Sequence, residues 1–377
     1  MIATIQQPLP SNYTQLSDHE LFDRIQAAKK KLGSRLVILG HHYQRNEIIV
    51  HADYRGDSYK LAKDAGAHPD AEYVVFCGVH FMAESADILT TENQIVILPN
   101  MAAGCSMADM ANLFQVKSAW KQLGEILGTE WIQGVDDASA HSERVVPVTY
   151  VNSTADLKAF VGKFGGTCCT STNAPAAVSW ALDRGQKVLF FPDQHLGRNT
   201  GVNLGYDPTE MVVWDPFVRL GGNTPEAIRN ARFILWKGHC SVHQRFTVEQ
   251  INKAREEHPG VQIMVHPECT LEVVRAADHN GSTEGIIRTV TESPAGSVWG
   301  IGTEINLVQR LASELLDKTI FCLDPMICPC STMYRIHPSF LCWVLEELAD
   351  GRVMNQVAVP EEVAVLARLA LHRMLRV

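Results

Sequence analysis

Paired Cys-x-x-Cys steps are missing from this 377-residue chain despite its 10 cysteines, so the usual signature of a structural zinc site is absent. The two close pairs are Cys168-Cys169 and Cys328-Pro329-Cys330, and neighbours on a short loop each offer at most one ligand to a shared ion. No Gly-x-Gly-x-x-Gly follows the first predicted strand and no Walker loop occurs, which removes support for a nucleotide cofactor. The Cys-x3-Cys-x2-Cys run of radical-type clusters is absent too. Basic residues form no block: 33 Lys and Arg are interspersed with 42 Asp and Glu, for a formal charge of -9. That argues against a nucleic-acid backbone as the main partner. No apolar run is long enough to span a bilayer, and Met1 to His19 is polar and proline-containing, unlike a signal peptide. The expectation is a cytoplasmic protein, in which ten cysteines do not read as a disulfide framework.

What the chain does have is alternation. With 46% hydrophobic residues it can bury more than one core, and its length predicts two or three domains. An amphipathic helix is expected over Asp18 to Leu32, capped by Ser17 or Asp18 and ended by Gly33. Short apolar runs then recur as buried strands at Leu36–Leu39, Tyr73–Phe76 and Ile95–Leu98. They return at Val145–Tyr150, Lys187–Phe191 and Phe233–Trp236, and again at Val261–Val265, Ser297–Ile301 and Thr319–Leu323. Helical segments lie between them, so the fold class is α/β, with parallel sheets and right-handed crossovers. Each round closes with a loop cysteine: Cys105, Cys240, and one of Cys328 or Cys330. Two excursions, Gly197 to Asn230 and Trp120 to Arg144, lengthen the pattern, and helices are expected from His337 onward.

Three thiolates delivered by separate rounds suit an iron–sulfur cluster with one open iron, or a zinc site with an open position. Coincidence among ten cysteines is the rival. The strand-end loops also carry His41, Tyr43, Tyr150, Asn152, His243, His266 and Glu268, where an α/β protein binds its ligand. Tyr, Glu and His can trade protons or bind anions, though any one of them alone reads as a satisfied structural residue. Ser58, Ser171, Ser282 and Thr283 fall at helix starts, as caps, as anion-binding groups, or as both.

Taken in order, the motifs resemble the quinolinate synthases. They are His41-His42-Tyr43-Gln44, Gly56-Asp57-Ser58, Val79-His80-Phe81-Met82-Ala83-Glu84, Gly104-Cys105-Ser106, Tyr150-Val151-Asn152-Ser153 and Cys169-Thr170-Ser171. They continue with Pro192-Asp193-Gln194-His195-Leu196-Gly197, Gly238-His239-Cys240-Ser241-Val242-His243, Val265-His266-Pro267-Glu268-Cys269, Gly281-Ser282-Thr283, Gly302-Thr303-Glu304 and Cys328-Pro329-Cys330. The resemblance implies three αβα domains with short parallel sheets about a pseudo-threefold axis, over residues 34–118, 145–241 and 242–333. Residues 1–33 would be an N-terminal extension, 119–144 an insert and 334–377 the C-terminal helices. It implies a [4Fe–4S] cluster on Cys105, Cys240 and one cysteine of the 328–330 loop. Met333, three residues on, favours Cys330, and the proline directly after Cys328 favours that residue; Cys330 is chosen because the apolar spacing into the next helix also lines up better from there. The implied reaction condenses iminoaspartate with dihydroxyacetone phosphate, losing phosphate and water to give quinolinate for NAD biosynthesis. Coupling to an iminoaspartate-producing oxidase follows from it. In this resemblance Tyr43, Glu268 and His41 serve acid–base steps. His41, Ser58, Tyr150, Asn152, Ser171, His243, His266, Glu268, Ser282 and Thr283 hold the substrates. Rival expectations are an iron–sulfur redox sensor without turnover and a lyase acting on another dicarboxylate.

Overall fold

Apolar runs buried on both faces can satisfy their backbones only beside other strands, and helices then cover the faces. A computed structural model of the chain describes residues 6–133, 142–324, 326 and 329–377. The first sheet contains β1 (Leu36–His41), β2 (Tyr54–Gly56), β3 (Tyr73–Cys77) and β4 (Ile95–Ile97). The second contains β5 (Ser142–Tyr150), β6 (Thr167–Cys169), β7 (Gly185–Phe191), β8 (Met211–Trp214) and β9 (Phe233–Trp236). The third contains β10 (Gln262–Val265), β11 (His279–Asn280), β12 (Val298–Gly302) and β13 (Thr319–Cys322), and β14 (Gln356–Val357) returns to the first. The orders are β14-β4-β3-β1-β2, β6-β5-β7-β9-β8 and β11-β10-β12-β13. Every described pairing is parallel except β14 with β4. The chain is therefore an α/β protein built on three largely parallel sheets.

In each sheet the opening strand lies between the second and the third. Winding reverses between the opening and the third strand, and at such a point the loops at the carboxyl ends of those two strands diverge and leave room for a ligand. The loops in question follow β1 and β3, β5 and β7, and β10 and β12. His41 and Tyr150 close β1 and β5, and His266 opens the loop after β10.

The residues group into two compact units. One comprises the described parts of Met1–Cys105, Glu304–Arg310 and Ile327–Pro360; the other comprises those of Ser106–Thr303, Leu311–Met326 and Glu361–Val377. In the first unit the helix Asp18–Leu32 starts on a Ser17/Glu20 capping box and buries Leu21, Ile25, Ala28 and Leu32. The helix Pro338–Ala349 packs against it. Its Glu346 accepts from Tyr13 Oη at 2.6 Å and from Arg24 Nε at 2.7 Å, a fork-to-fork ion pair. Near this helix His51 is 1% exposed and its Nδ1 lies 2.9 Å from Gln26 Nε2, so Nδ1 accepts and the ring is neutral. Burial, then the charge of Lys29, brings its pKa down from 6.5 to about 4. The unfolded chain therefore takes up this proton first. The contribution of His51 is complete above pH 6.5 and drains away as pH falls toward 4. Urea unfolding at pH 7 and at pH 4.5 should show a loss of roughly 1–2 kcal/mol from this residue, absent in His51→Gln.

The second unit holds the other two sheets. Its closing helix, Glu361–Arg376, lies against Ala155–Lys163 so closely that a Cβ at Gly162 would stand 1.9 Å from the Leu366 carbonyl oxygen. Arg373 donates to the carbonyl oxygens of Gly162 and Gly166. Beneath the third sheet, Phe246, Ile251, Ile263, Val265 and Val273 form an apolar cluster. Among the described residues no helix is long and apolar enough to cross a membrane.

The expected strands are all present, with ends differing by a few residues. The segment from Trp120 begins inside a helix, Leu113–Leu127, and part of it, 134–141, lies outside the described residues. Asp57, not Ser58, caps the helix Ser58–Gly66, accepting from Lys60 N at 2.9 Å. The excursion after Gly197 contains an additional edge strand, β8.

Candidate active site

The loop after β10 is Val265-His266-Pro267-Glu268. Glu268 N donates to His266 Nδ1 at 3.3 Å, a tight turn that aims the Glu268 carboxylate inward, where it is 2% exposed. Tyr150 Oη, at the end of β5, donates to Glu268 Oε1 at 2.6 Å. His243 Nδ1 lies 2.9 Å from Glu268 Oε2, and its Nε2 lies 3.1 Å from Thr303 Oγ1 after β12. The His243 and His266 rings stack with centroids 4.2 Å apart and planes 11° apart. These loops thus bring Tyr150, His243, His266 and Glu268 into one buried cluster.

Its electrostatics assign the protons. Burial, then the proximity of His243, depresses the His266 pKa to about 3, so this ring is neutral. With Nδ1 accepting from the backbone, its proton sits on Nε2. Burial on its own would raise the Glu268 pKa, but His243, His266 and the hydrogen bonds from His243 and Tyr150 outweigh it and hold it down at about 2. Glu268 is therefore an anion between a phenol and an imidazole, able to accept from either and to pass a proton between them. The ligand atoms of Cys240, His243 and Glu268 all lie within 4.8 Å of one another. A metal centre held by Cys240 would stand beside this acid–base group.

A cavity of about 310 Å³ in the same unit is lined by Ser171, Ser282, Arg288 and Asn280 among others. Ser282 caps the helix Thr283–Glu292 by accepting from Gly285 N at 3.2 Å, as a cap would, while still lining the cavity. Thr283 is buried in the first turn of that helix. Asn152, just beyond β5, has a buried Oδ1 that meets no hydrogen-bond donor among the described residues. An acceptor of this kind is left for a ligand or water to satisfy.

In the first unit the loop after β1 repeats the turn seen after β10. Tyr43 N donates to His41 Nδ1 at 3.1 Å, which again leaves Nε2 carrying the proton, and the two rings meet edge to face at 4.8 Å. Asn306 Nδ2 donates to the Tyr43 carbonyl at 3.2 Å. Ser58 is the first residue of its helix, half-buried. Cys330 N donates to Glu304 Oε1 at 3.1 Å. Cys328 lies outside the described residues.

Exposure sorts the cysteines. Cys77, Cys168, Cys169, Cys269 and Cys342 are buried, and burial pushes each thiol upward, to about 12 for Cys77, Cys168 and Cys342. Such thiols are inert packing groups. Cys105, Cys240 and Cys330 are partly exposed, as is Cys322. Thiolate donors at accessible loop positions are the chemistry a metal ligand needs, and the loop thiols Cys105, Cys240 and Cys330 meet that condition where the five buried ones do not. Three further residues join these loops, namely Thr303 beside His243, Glu304 beside Cys330, and Asp193, whose Oδ2 accepts from Cys240 N at 3.2 Å. The sequence signal was a carboxylate or hydroxyl directly after a strand, in Pro192-Asp193 and Gly302-Thr303-Glu304. Read alone, each looks like a helix cap.

Buried acid–base side chains gathered where winding reverses in parallel sheets define an α/β enzyme that moves protons on a bound small molecule. The family model described as quinolinate synthetase A protein (NadA) matches residues 23–376, and the chain belongs to that family. It is similar to the quinolinate synthase of Corynebacterium glutamicum, 58% identical over 99% of this chain and 91% of that protein. It is also similar to that of Herpetosiphon aurantiacus, 56% identical over 97% of this chain and 95% of the relative. For the Bacillus subtilis quinolinate synthase the figures are 50%, 98% and 96%.

Proposed function

We propose that this chain is a quinolinate synthase of NAD biosynthesis, condensing iminoaspartate with dihydroxyacetone phosphate and releasing phosphate and water. The observation that carries the reading is the buried Tyr150–Glu268–His243 relay beside Cys240, in a chain of this family. Cys105, Cys240 and Cys330 would hold a [4Fe–4S] cluster, one from each of the domains proposed at 34–118, 145–241 and 242–333. When bound, that cluster supplies an open iron as Lewis acid toward a departing oxygen. The chain's own groups do the rest. Glu268 takes a proton from carbon or oxygen and returns it through Tyr150 or His243. Tyr43 serves a second acid–base step, and His41 and His266 donate from Nε2 to substrate oxygens. Ser58, Asn152, Ser171, Ser282 and Thr283 bind carboxylates and phosphate, with the serine-lined cavity near Arg288 suited to an anion. An oxidase that makes iminoaspartate is the functional partner, and a cytoplasmic location belongs to the same reading.

Anaerobically reconstituted protein, given dihydroxyacetone phosphate and iminoaspartate generated in place, should form quinolinate detectable by mass. A fully loaded protein that leaves both substrates unchanged would overturn the reading in favour of a redox sensor. A different product would identify a lyase on another dicarboxylate.

A further inference from the structure

Asp193 and Glu304 hold the same place in their sheets. Each follows a third strand, β7 or β12, and opens a helix, Gln194–Asn203 or Ile305–Glu314. Each is 0% exposed. Asp193 Oδ1 accepts from His195 N and Leu196 N, both at 2.8 Å, while Oδ2 accepts from Cys240 N at 3.2 Å. Glu304 Oε2 accepts from Asn306 N at 2.8 Å, while Oε1 accepts from Asn306 Nδ2 at 3.0 Å and Cys330 N at 3.1 Å. In both cases one oxygen caps a helix and the other reaches the N–H of a loop cysteine far along the chain. The two cysteines follow β9 and β13, the strands paired to the outer sides of β7 and β12.

A helix cap needs one acceptor oxygen, which Ser or Asn supplies at lower desolvation cost than a buried carboxylate. A second acceptor oxygen is what only a carboxylate adds at this size. In the first sheet the position after β3 is Gly78-Val79-His80, with no carboxylate. There His80 N instead donates to the Ala103 carbonyl at 2.8 Å, so the approach to Cys105 is held by backbone.

We propose that Asp193 and Glu304 are positioning residues, each clamping the N–H of one ligand cysteine, Cys240 or Cys330, to the first turn of a neighbouring helix. The clamp sets the loop before the cluster arrives and resists its loss afterward. This rests on reading Cys240 and Cys330 as cluster ligands.

The test compares Asp193→Asn and Glu304→Gln with wild type, using Asp278→Asn as a control carboxylate that accepts from the strand N–H of Ile263 and pairs with Arg255, with no hydrogen bond to a cysteine loop among the described residues. In the apoprotein, hydrogen exchange at residues 237–245 in the first variant and 329–335 in the second should quicken about tenfold, with the sheet peptides unchanged. In the reconstituted protein, iron release to a chelator should quicken about 10–100-fold, as for other groups that orient metal ligands. Each variant should act on its own loop, and the control on neither. Loops that exchange at the wild-type rate would overturn the clamp. So would a rise spread evenly over all peptides of the unit, which marks a merely structural role. Cys240→Ser and Cys330→Ser, run in parallel, separate the two readings. If they keep a full cluster, the ligand assignment fails while the exchange data still decide the clamp.

Discussion

Cys240→Ser should yield a folded, colourless protein with no quinolinate formation. The thiol is one of the partly exposed cysteines and stands in the same 4.8 Å group as His243 and Glu268, so its loss empties the position nearest the acid–base side chains. Lewis-acid assistance is worth several kcal/mol to a departing oxygen. At about 1.4 kcal/mol per factor of ten, the rate should fall on the order of a thousandfold or more. Cys105→Ser and Cys330→Ser should behave alike, whereas Cys77→Ser and Cys342→Ser, in buried packing positions, should keep the cluster. Iron and sulfide analysis beside the product assay reads both outcomes. The same measurement on Cys328→Ser decides between the two thiols of that loop. Retained cluster in Cys330→Ser, with loss in Cys328→Ser, would reverse the choice.

Glu268→Gln should leave iron and sulfide at wild-type levels yet lower kcat by about 10²–10⁴-fold, the usual worth of a positioned general acid or base. The amide keeps the volume of the carboxylate but has one acceptor where Tyr150 and His243 now use two, and it cannot take a proton. Tyr150→Phe removes one of the two routes by which Glu268 returns its proton, while His243 still braces the carboxylate and keeps the other route, so a drop of about tenfold is expected. Single-turnover kinetics on the loaded protein measures both. Wild-type kcat in Glu268→Gln would exclude this carboxylate from proton transfer.

Much of this molecule could be read from its letters because buried parallel strands announce themselves. Leu36–Leu39, Tyr73–Phe76 and Phe233–Trp236 are continuous apolar runs with no other stable home. The loops after them stood out because His, Tyr and Glu are unexpected at the end of such a run. The short strands β2, β11 and β14, of two or three residues, are below what periodicity can detect. The edge strand β8 was hidden for another reason. Met211 to Val213 are only half-buried, in a segment framed by Pro208 and Pro216, and its pairing to β9 depends on residues twenty positions away. Asp193 and Glu304 were invisible as clamps because the group each one holds is a backbone N–H, which has no letter. The repeat itself is likewise geometric. Asp53 and Asp278 each bind the second-strand entry to the opening strand, through Ile38 N and Ile263 N at 2.8 Å, yet the sequences around them share little.

The antiparallel strand β14 has a consequence for synthesis. It pairs with β4 through Val357 and Val96, and Asn355 Nδ2 donates to the Pro99 carbonyl at 2.8 Å. The edge of the earliest sheet to emerge from a ribosome thus stays open until residues some 260 positions later have been made. Contacts of such long separation form slowly, and an uncovered edge invites pairing with other nascent chains. Production of this polypeptide should therefore depend on chaperones that shelter the opening third of the chain until translation nears completion.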